Sequence, residues 1–114
     1  MMNLDDSLRK KVDLYFNYFS NKNLNLITTL FAENIKLRDW EIDESGSLNV
    51  INAIKNIFQN VDTIEIVPID VQIYKYKAYC EINIVVNSSE YLKVVDIIDF
   101  DENGLITSIK AFKG

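Results

Sequence analysis

Apolar residues at Leu4, Leu8, Val12, Tyr15, Phe16 and Phe19 recur at helical spacing, and Asn3 or Asp5 is placed to cap the start. The pattern predicts a first helix ending at the break Ser-Asn-Lys-Asn, residues 20–23. LNLITTLF, residues 24–31, reads as a short second helix with Leu24 or Leu26, Ile27, Leu30 and Phe31 on its apolar side. The period then changes. IKLRDW, residues 35–40, alternates: Ile35, Leu37 and Asp39 share one face, Lys36, Arg38 and Trp40 the other. EIDESGS, residues 41–47, is a polar, turn-like loop, and a third helix is predicted over 48–60 with Val50, Ile51, Ile54, Ile57 and Phe58 as its stripe.

The second half is strand-rich. TIEIVPIDVQIY (63–74), KAYCEINIVVN (77–87), EYLKVVDIIDF (90–100) and GLITSIKAF (104–112) are β-patterned and separated by turn signals. Pro68 points to an edge or a break. Asn87-Ser88-Ser89 and Asp101–Gly104 read as hairpin turns, with Asn103-Gly104 a type I′ signal. Helices segregated from a meander of strands predict one α+β domain over residues 1–114. A curved sheet with helices over one face forms a half-open cone with one apolar pocket.

Three polar groups interrupt this pattern. Asp96 shares a strand face with Leu92, Val94, Ile98 and Phe100. Asp39 shares one with Ile35 and Leu37, and Tyr15 sits between Val12 and Phe19 in the first helix's stripe. Taken singly, Tyr15 reads as an ordinary core or rim tyrosine, and Asp39 as a solvated carboxylate ahead of a polar loop. Asp96 could bond to a turn or a core hydroxyl. Together they put one polar group on the inward side of each of three core-forming elements. A carboxylate there must be paired, hydrogen-bonded or neutral. No basic residue shares those faces, so a raised pKa is expected, and a neutral carboxyl is a hydrogen-bond donor.

Composition narrows the chemistry. The chain has no histidine, which removes Ser-His-Asp and Cys-His catalysis and histidine-ligated metal sites. Acid–base work falls to Asp, Glu, Tyr, Lys or the single Cys80. A net charge of −5, with scattered Lys and Arg, argues against nucleic-acid binding through a basic patch. No apolar run approaches a membrane span, and MMNLDDSLRK lacks the apolar core of a signal peptide. One cysteine forms no internal disulfide, so a reducing cytoplasm is expected. Cys80 reads as a small buried hydrophobe, and Tyr74, Tyr76 and Tyr79 as strand-surface or dimer-facing aromatics.

Residues 14–40, LYFNYFSNKNLNLITTLFAENIKLRDW, and residues 92–112, LKVVDIIDFDENGLITSIKAF, resemble the ketosteroid isomerase branch of the NTF2-like (SnoaL-like) superfamily. FAENIKLRD and the FDENG turn are common across the wider superfamily. Residues 41–90 match only in their helix and strand order. The resemblance implies an α+β cone of three N-terminal helices packed on a curved antiparallel sheet. The branch's catalytic tyrosine falls on Tyr15, its general-base aspartate on Asp39, and its protonated oxyanion-hole aspartate on Asp96. These are the three residues that the facial patterns single out.

That resemblance implies an isomerase-like enzyme acting next to a carbonyl on a small apolar substrate held in the cone pocket, without cofactor or metal. Phe19, Phe31, Trp40, Phe58, Ile98 and Phe112 are the candidate pocket residues, although Trp40 could instead cover the outer face. It also implies a homodimer formed through the sheet. There are departures. Phe31 and Phe58 stand where some members have tyrosines supporting the catalytic one. Trp40 follows the base where the branch has proline, and Lys113 stands where a pocket tryptophan can occur. The alternatives are a non-catalytic ligand-binding or dimerisation domain, or a polyketide-cyclase-like enzyme. Dehydratases of the superfamily typically rely on histidine, which this chain lacks.

Overall fold

A computed structural model describes residues 2–114. Helix α1 (Leu4–Ser20) buries Leu8, Val12, Tyr15, Phe16 and Phe19, the predicted stripe without its exposed first member, Leu4. Of the two candidate caps, Asn3 acts: its side chain accepts from the Asp6 N–H at 2.8 Å. Helix α2 (Leu24–Leu30) is capped by Asn23, which accepts from the Leu26 N–H at 3.1 Å, and it turns Leu24 rather than Leu26 toward the core. Phe31, expected at the end of that helix, is already extended and opens strand β1 (Phe31–Arg38).

The predicted polar loop contains a short strand, β2 (Asp43–Ser45), paired antiparallel with β1. Three exposed polar residues carry no strand pattern; backbone pairing holds them, with Arg38 Nη1 3.3 Å from Asp43 Oδ2 across it. Helix α3 (Ser47–Asn60) follows Gly46, whose φ of 89° suits a residue without Cβ. Strands β3 (Ile64–Tyr74), β4 (Lys77–Val86), β5 (Glu90–Phe100) and β6 (Ile106–Lys113) complete a six-stranded sheet in the order β2-β1-β6-β5-β4-β3. One neighbouring pair, β1 with β6, is parallel, so the sheet is mostly rather than wholly antiparallel. Pro68 lies on the edge strand β3 beside a register shift.

The type I′ geometry expected at Asn103-Gly104 occurs at the other turn instead. Asn87 and Ser88 both have positive φ (52° and 61°), as a type I′ turn requires. At Asp101–Gly104 only Gly104 is positive, at 79°. There the Asp101 carboxylate accepts from the N–H groups of Asn103 (2.9 Å) and Leu105 (3.0 Å). That side chain selects a turn closed by Gly104 N–H donating to Asp101 C=O, in place of type I′.

The helices cover one face of the sheet, α1 against β3 and β4, α3 against β1 and β2, with α2 between them. Two polar ties fix the arrangement. Ser20 Oγ accepts from the Ile66 N–H at 2.9 Å, joining α1 to β3. Lys22 Nζ donates to the carbonyls of Phe58, Val61 and Asp62 at 2.6–3.0 Å, satisfying the end of α3.

Candidate active site

Strand alternation and register aim Asp96 inward. It lies at the middle of β5, flanked by Cys80 on β4 and Ala111 on β6. Both neighbours are small, and Ala111 lines the same cavity as Asp96. Asp96 is the one buried carboxyl residue among the described residues, 6% exposed. Burial, and then the nearby Asp39 charge, push its carboxyl up to about 7. Tyr15, on α1, is 3% exposed. Burial first, then the charges of Asp96, Cys80 and Asp39, raise its hydroxyl well above the ordinary tyrosine range. Tyr15 therefore keeps its proton at neutral pH, and Asp96 is a protonated, hydrogen-bond-donating acid below about 7.

Asp39 follows the last residue of β1. Its Oδ1 accepts from the N–H groups of Glu41 (2.7 Å) and Ile42 (2.6 Å), and its own N–H donates to Ile42 C=O at 2.9 Å. One carboxylate oxygen is thus tied into the turn and the other is free to face the cavity. The side chain is half-buried, between solvent and core.

Tyr15, Asp39 and Asp96 line one cavity of about 190 Å³. Its remaining wall is almost wholly apolar: Phe19, Leu37, Trp40, Ile42, Ile57, Val61, Ile64, Ile66, Ile84, Val86, Leu92, Ile109 and Ala111, with Glu41 at the rim. Among the described residues, no fully enclosed side-chain nitrogen or oxygen lacks a partner, and neither the Tyr15 hydroxyl nor the Asp96 carboxyl bonds to protein. The open valences of both groups face the cavity.

Of the six candidate pocket residues, Phe19 and Trp40 lie on this wall. Trp40 is 39% exposed at the mouth, with Lys113 Nζ 5.3 Å from its ring centroid. Phe31, Phe58 and Ile98 are buried one layer behind it. Phe31 packs against Tyr15 (6.1 Å between centroids) and Phe58 against Phe19 (4.9 Å), so apolar rings, not hydroxyl donors, back the tyrosine. Phe112 is a correction. It pairs with Val95, on the opposite side of the sheet from Asp96, and is 57% exposed. Ala111 takes the inward position. The β5–β6 register decides this, and the pattern of one strand does not contain it.

The sequence reading missed most of the wall. Ile66, Ile84 and Leu92 lie on inward strand faces that alternation makes visible, but only their convergence makes them a cavity. Glu41 carried no signal at all. Among the described residues, no three His, Cys, Asp or Glu side chains gather around a point that could hold a metal ion.

Solved structures share this architecture across nearly the whole chain. A SnoaL-like family protein from Agrobacterium tumefaciens matches with a TM-score of 0.81 and 12% identity, over 95% of this chain and 97% of that one. An NTF2-like protein from Cytophaga hutchinsonii matches at 0.80 and 14%, over 100% and 95%. The fold is the NTF2-like one. A protein with a ketosteroid isomerase-like fold from Catenulispora acidiphila, solved with trimethylamine, matches this chain at 0.81 and 12%, over 90% and 83%. No protein-family model matches the sequence, and no curated protein matches it significantly. The NTF2-like fold hosts unrelated activities, so the chemistry has to be argued from the site. No helix among the described residues is long and apolar enough to cross a membrane.

Proposed function

We propose that this NTF2-like protein is a cofactor-independent, ketosteroid-isomerase-like enzyme that moves a proton next to a carbonyl on a small apolar substrate. The observation that carries this reading is the pairing of two buried, protonated donors, Tyr15 and Asp96, with a free carboxylate oxygen on Asp39 in one apolar cavity. The substrate carbonyl would accept hydrogen bonds from Tyr15 and Asp96. Asp39 would take the proton from the adjacent carbon. The C–H electron pair moves to form a carbon–carbon double bond, and the carbonyl pair moves to oxygen as an enolate. The two donors stabilise that charge where water cannot compete. Protonated Asp39 then returns the proton at a further carbon, and the double bond has shifted with no net gain or loss of atoms or electrons.

The test is isomerisation of a β,γ-unsaturated ketone, followed by the ultraviolet absorbance of the conjugated enone, with Asp39→Asn alongside. Turnover abolished by that substitution, with ligand binding kept, is the expected result. A second reading is a ligand-binding module on the same fold, favoured by the phenylalanines behind Tyr15, which leave its hydroxyl without a supporting donor. That reading requires binding with no turnover in either protein.

We further propose a homodimer through the outer face of the sheet. Val95, Tyr79, Tyr91 and Phe112 are exposed there. Arg38 stands opposite Lys110 on one side of the face, and Asp70 opposite Glu81 on the other. A two-fold pairing can set the basic side of one copy against the acidic side of the next. Phe112→Glu is expected to shift the sedimenting species to monomer; an unchanged mass would reject this face. With Cys80 buried and free, we place the protein in a reducing cytoplasm.

A further inference from the structure

Alternation along β1 would turn Trp40 outward with Lys36 and Arg38, yet Trp40 lines the cavity. The cause is local. β1 ends at Arg38, and the next four residues form a tied turn: Asp39 N–H donates to Ile42 C=O, and Asp39 Oδ1 accepts from the N–H groups of Glu41 and Ile42. Trp40 is the second residue of that turn, so the bonds that fix the proposed base also fix the backbone of its neighbour. The indole is held from β6. Ile109, Ala111 and Lys113 share one face of that strand. The first two line the cavity, and Lys113, beyond them, sets its ammonium 5.3 Å from the Trp40 ring centroid. Tyr15 and Phe19, the other rings on the wall, are buried, so Trp40 is the one aromatic ring of the wall that reaches solvent.

Trp40 also stands between two spaces. An open hollow of about 490 Å³ lies on its other side, against Arg38, Lys110, Phe112 and Lys113. The hollow and the cavity have Asp39, Trp40 and Ala111 in common, and of these only Trp40 is large. The cavity itself is about 190 Å³. An apolar cavity of about 150 Å³ holds one benzene ring, and drug-sized ligands use about 300–1,000 Å³. One ring with a carbonyl and a few further carbons fills this cavity, and a four-ring skeleton is too large for it while the indole is in place. We infer that Trp40 is the specificity-determining residue that sets the size limit of the site, and that the ligand class is a one-ring ketone or an apolar ketone of the same bulk.

This inference rests on the proposed site, and the two can fail separately. 4-Ethylphenol and estradiol offer the same phenolic head group to Tyr15 and Asp96, on one ring and on four. Their dissociation constants would be measured by calorimetry for the parent protein, Trp40→Phe, Trp40→Ala and Lys113→Met. The parent is expected to bind 4-ethylphenol at least about tenfold more tightly than estradiol. Trp40→Phe keeps that order, because a ring still closes the mouth. Trp40→Ala reverses it, because the cavity then runs on into the space the indole filled. Lys113→Met, which frees the indole without removing it, narrows the ratio about threefold. Estradiol binding the parent as tightly as 4-ethylphenol overturns the size limit and leaves the donor pair intact. A ratio unchanged in both Trp40→Ala and Lys113→Met overturns the role of Trp40. The expected binding pattern with no turnover of cyclohex-3-en-1-one overturns the isomerase reading and keeps the size limit. No binding of either phenol by the parent or by Trp40→Ala overturns both.

Discussion

Asp96 and Cys80 stand directly opposite each other on β5 and β4, both pointing into the core. The thiol offers no counter-charge: burial, and then Asp96 itself, hold it up to about 12. Asp96 therefore faces an apolar neighbour, an aliphatic surround and a cavity. Its environment favours the neutral acid over the carboxylate.

Stability should record that preference. Asp96 keeps its proton up to about 7 in the folded chain, against 3.8 for the free side chain. Folding takes up a proton between those two values. The stability the protonated group supports is full below pH ~4, falls as pH rises through the window, and levels off above the folded pKa. The span corresponds to at most about 4 kcal/mol. Asp96→Asn should match the parent in urea unfolding at pH 4 and exceed it at pH 8, while losing turnover at both. A parent protein whose stability is flat from pH 4 to 8 would contradict a protonated Asp96.

Asp39 separates two roles by its two oxygens. Asp39→Asn keeps Oδ1 to accept from Glu41 and Ile42, so the turn and ligand binding should persist while turnover falls about 10²–10⁴-fold. Asp39→Ala loses the turn as well, and should be less stable by about 1 kcal/mol than Asp39→Asn. Equal melting temperatures for the two variants would show the turn bonds to be unimportant.

Tyr15 bonds to no protein group, so Tyr15→Phe removes nothing that the fold needs. Thermal stability should hold or rise slightly, and kcat should drop about 10²–10³-fold, as for loss of one oxyanion donor. Reduced stability with unchanged kcat would make Tyr15 a structural tyrosine.

Lys22 closes the end of α3. Lys22→Met leaves the Phe58, Val61 and Asp62 carbonyls to solvent, and should lower the unfolding free energy by about 1–3 kcal/mol with an unchanged denaturant slope. Because Val61 lies on the cavity wall, ligand affinity should weaken in parallel.

Local pattern determined much of this protein. The helical stripe from Leu8 to Phe19, the change of period at the short strand, and the four later strands follow from apolar spacing, because burying one face of each element is the dominant gain on folding. The same alternation exposed Asp96 and Asp39 as polar positions on faces that should have been apolar. Long-range geometry decided the rest. That β1 lies parallel to β6, that β2 exists, and that Phe112 turns outward while Ala111 turns in are consequences of strand register, which depends on partners in other strands, 72 positions apart for Arg38 and Lys110 and 17 for Val95 and Phe112. The meeting of Tyr15, Asp39 and Asp96 at one cavity belongs to that same level. Side-chain periodicity states which way a residue points along its own element. Only the packing of elements states what it points at.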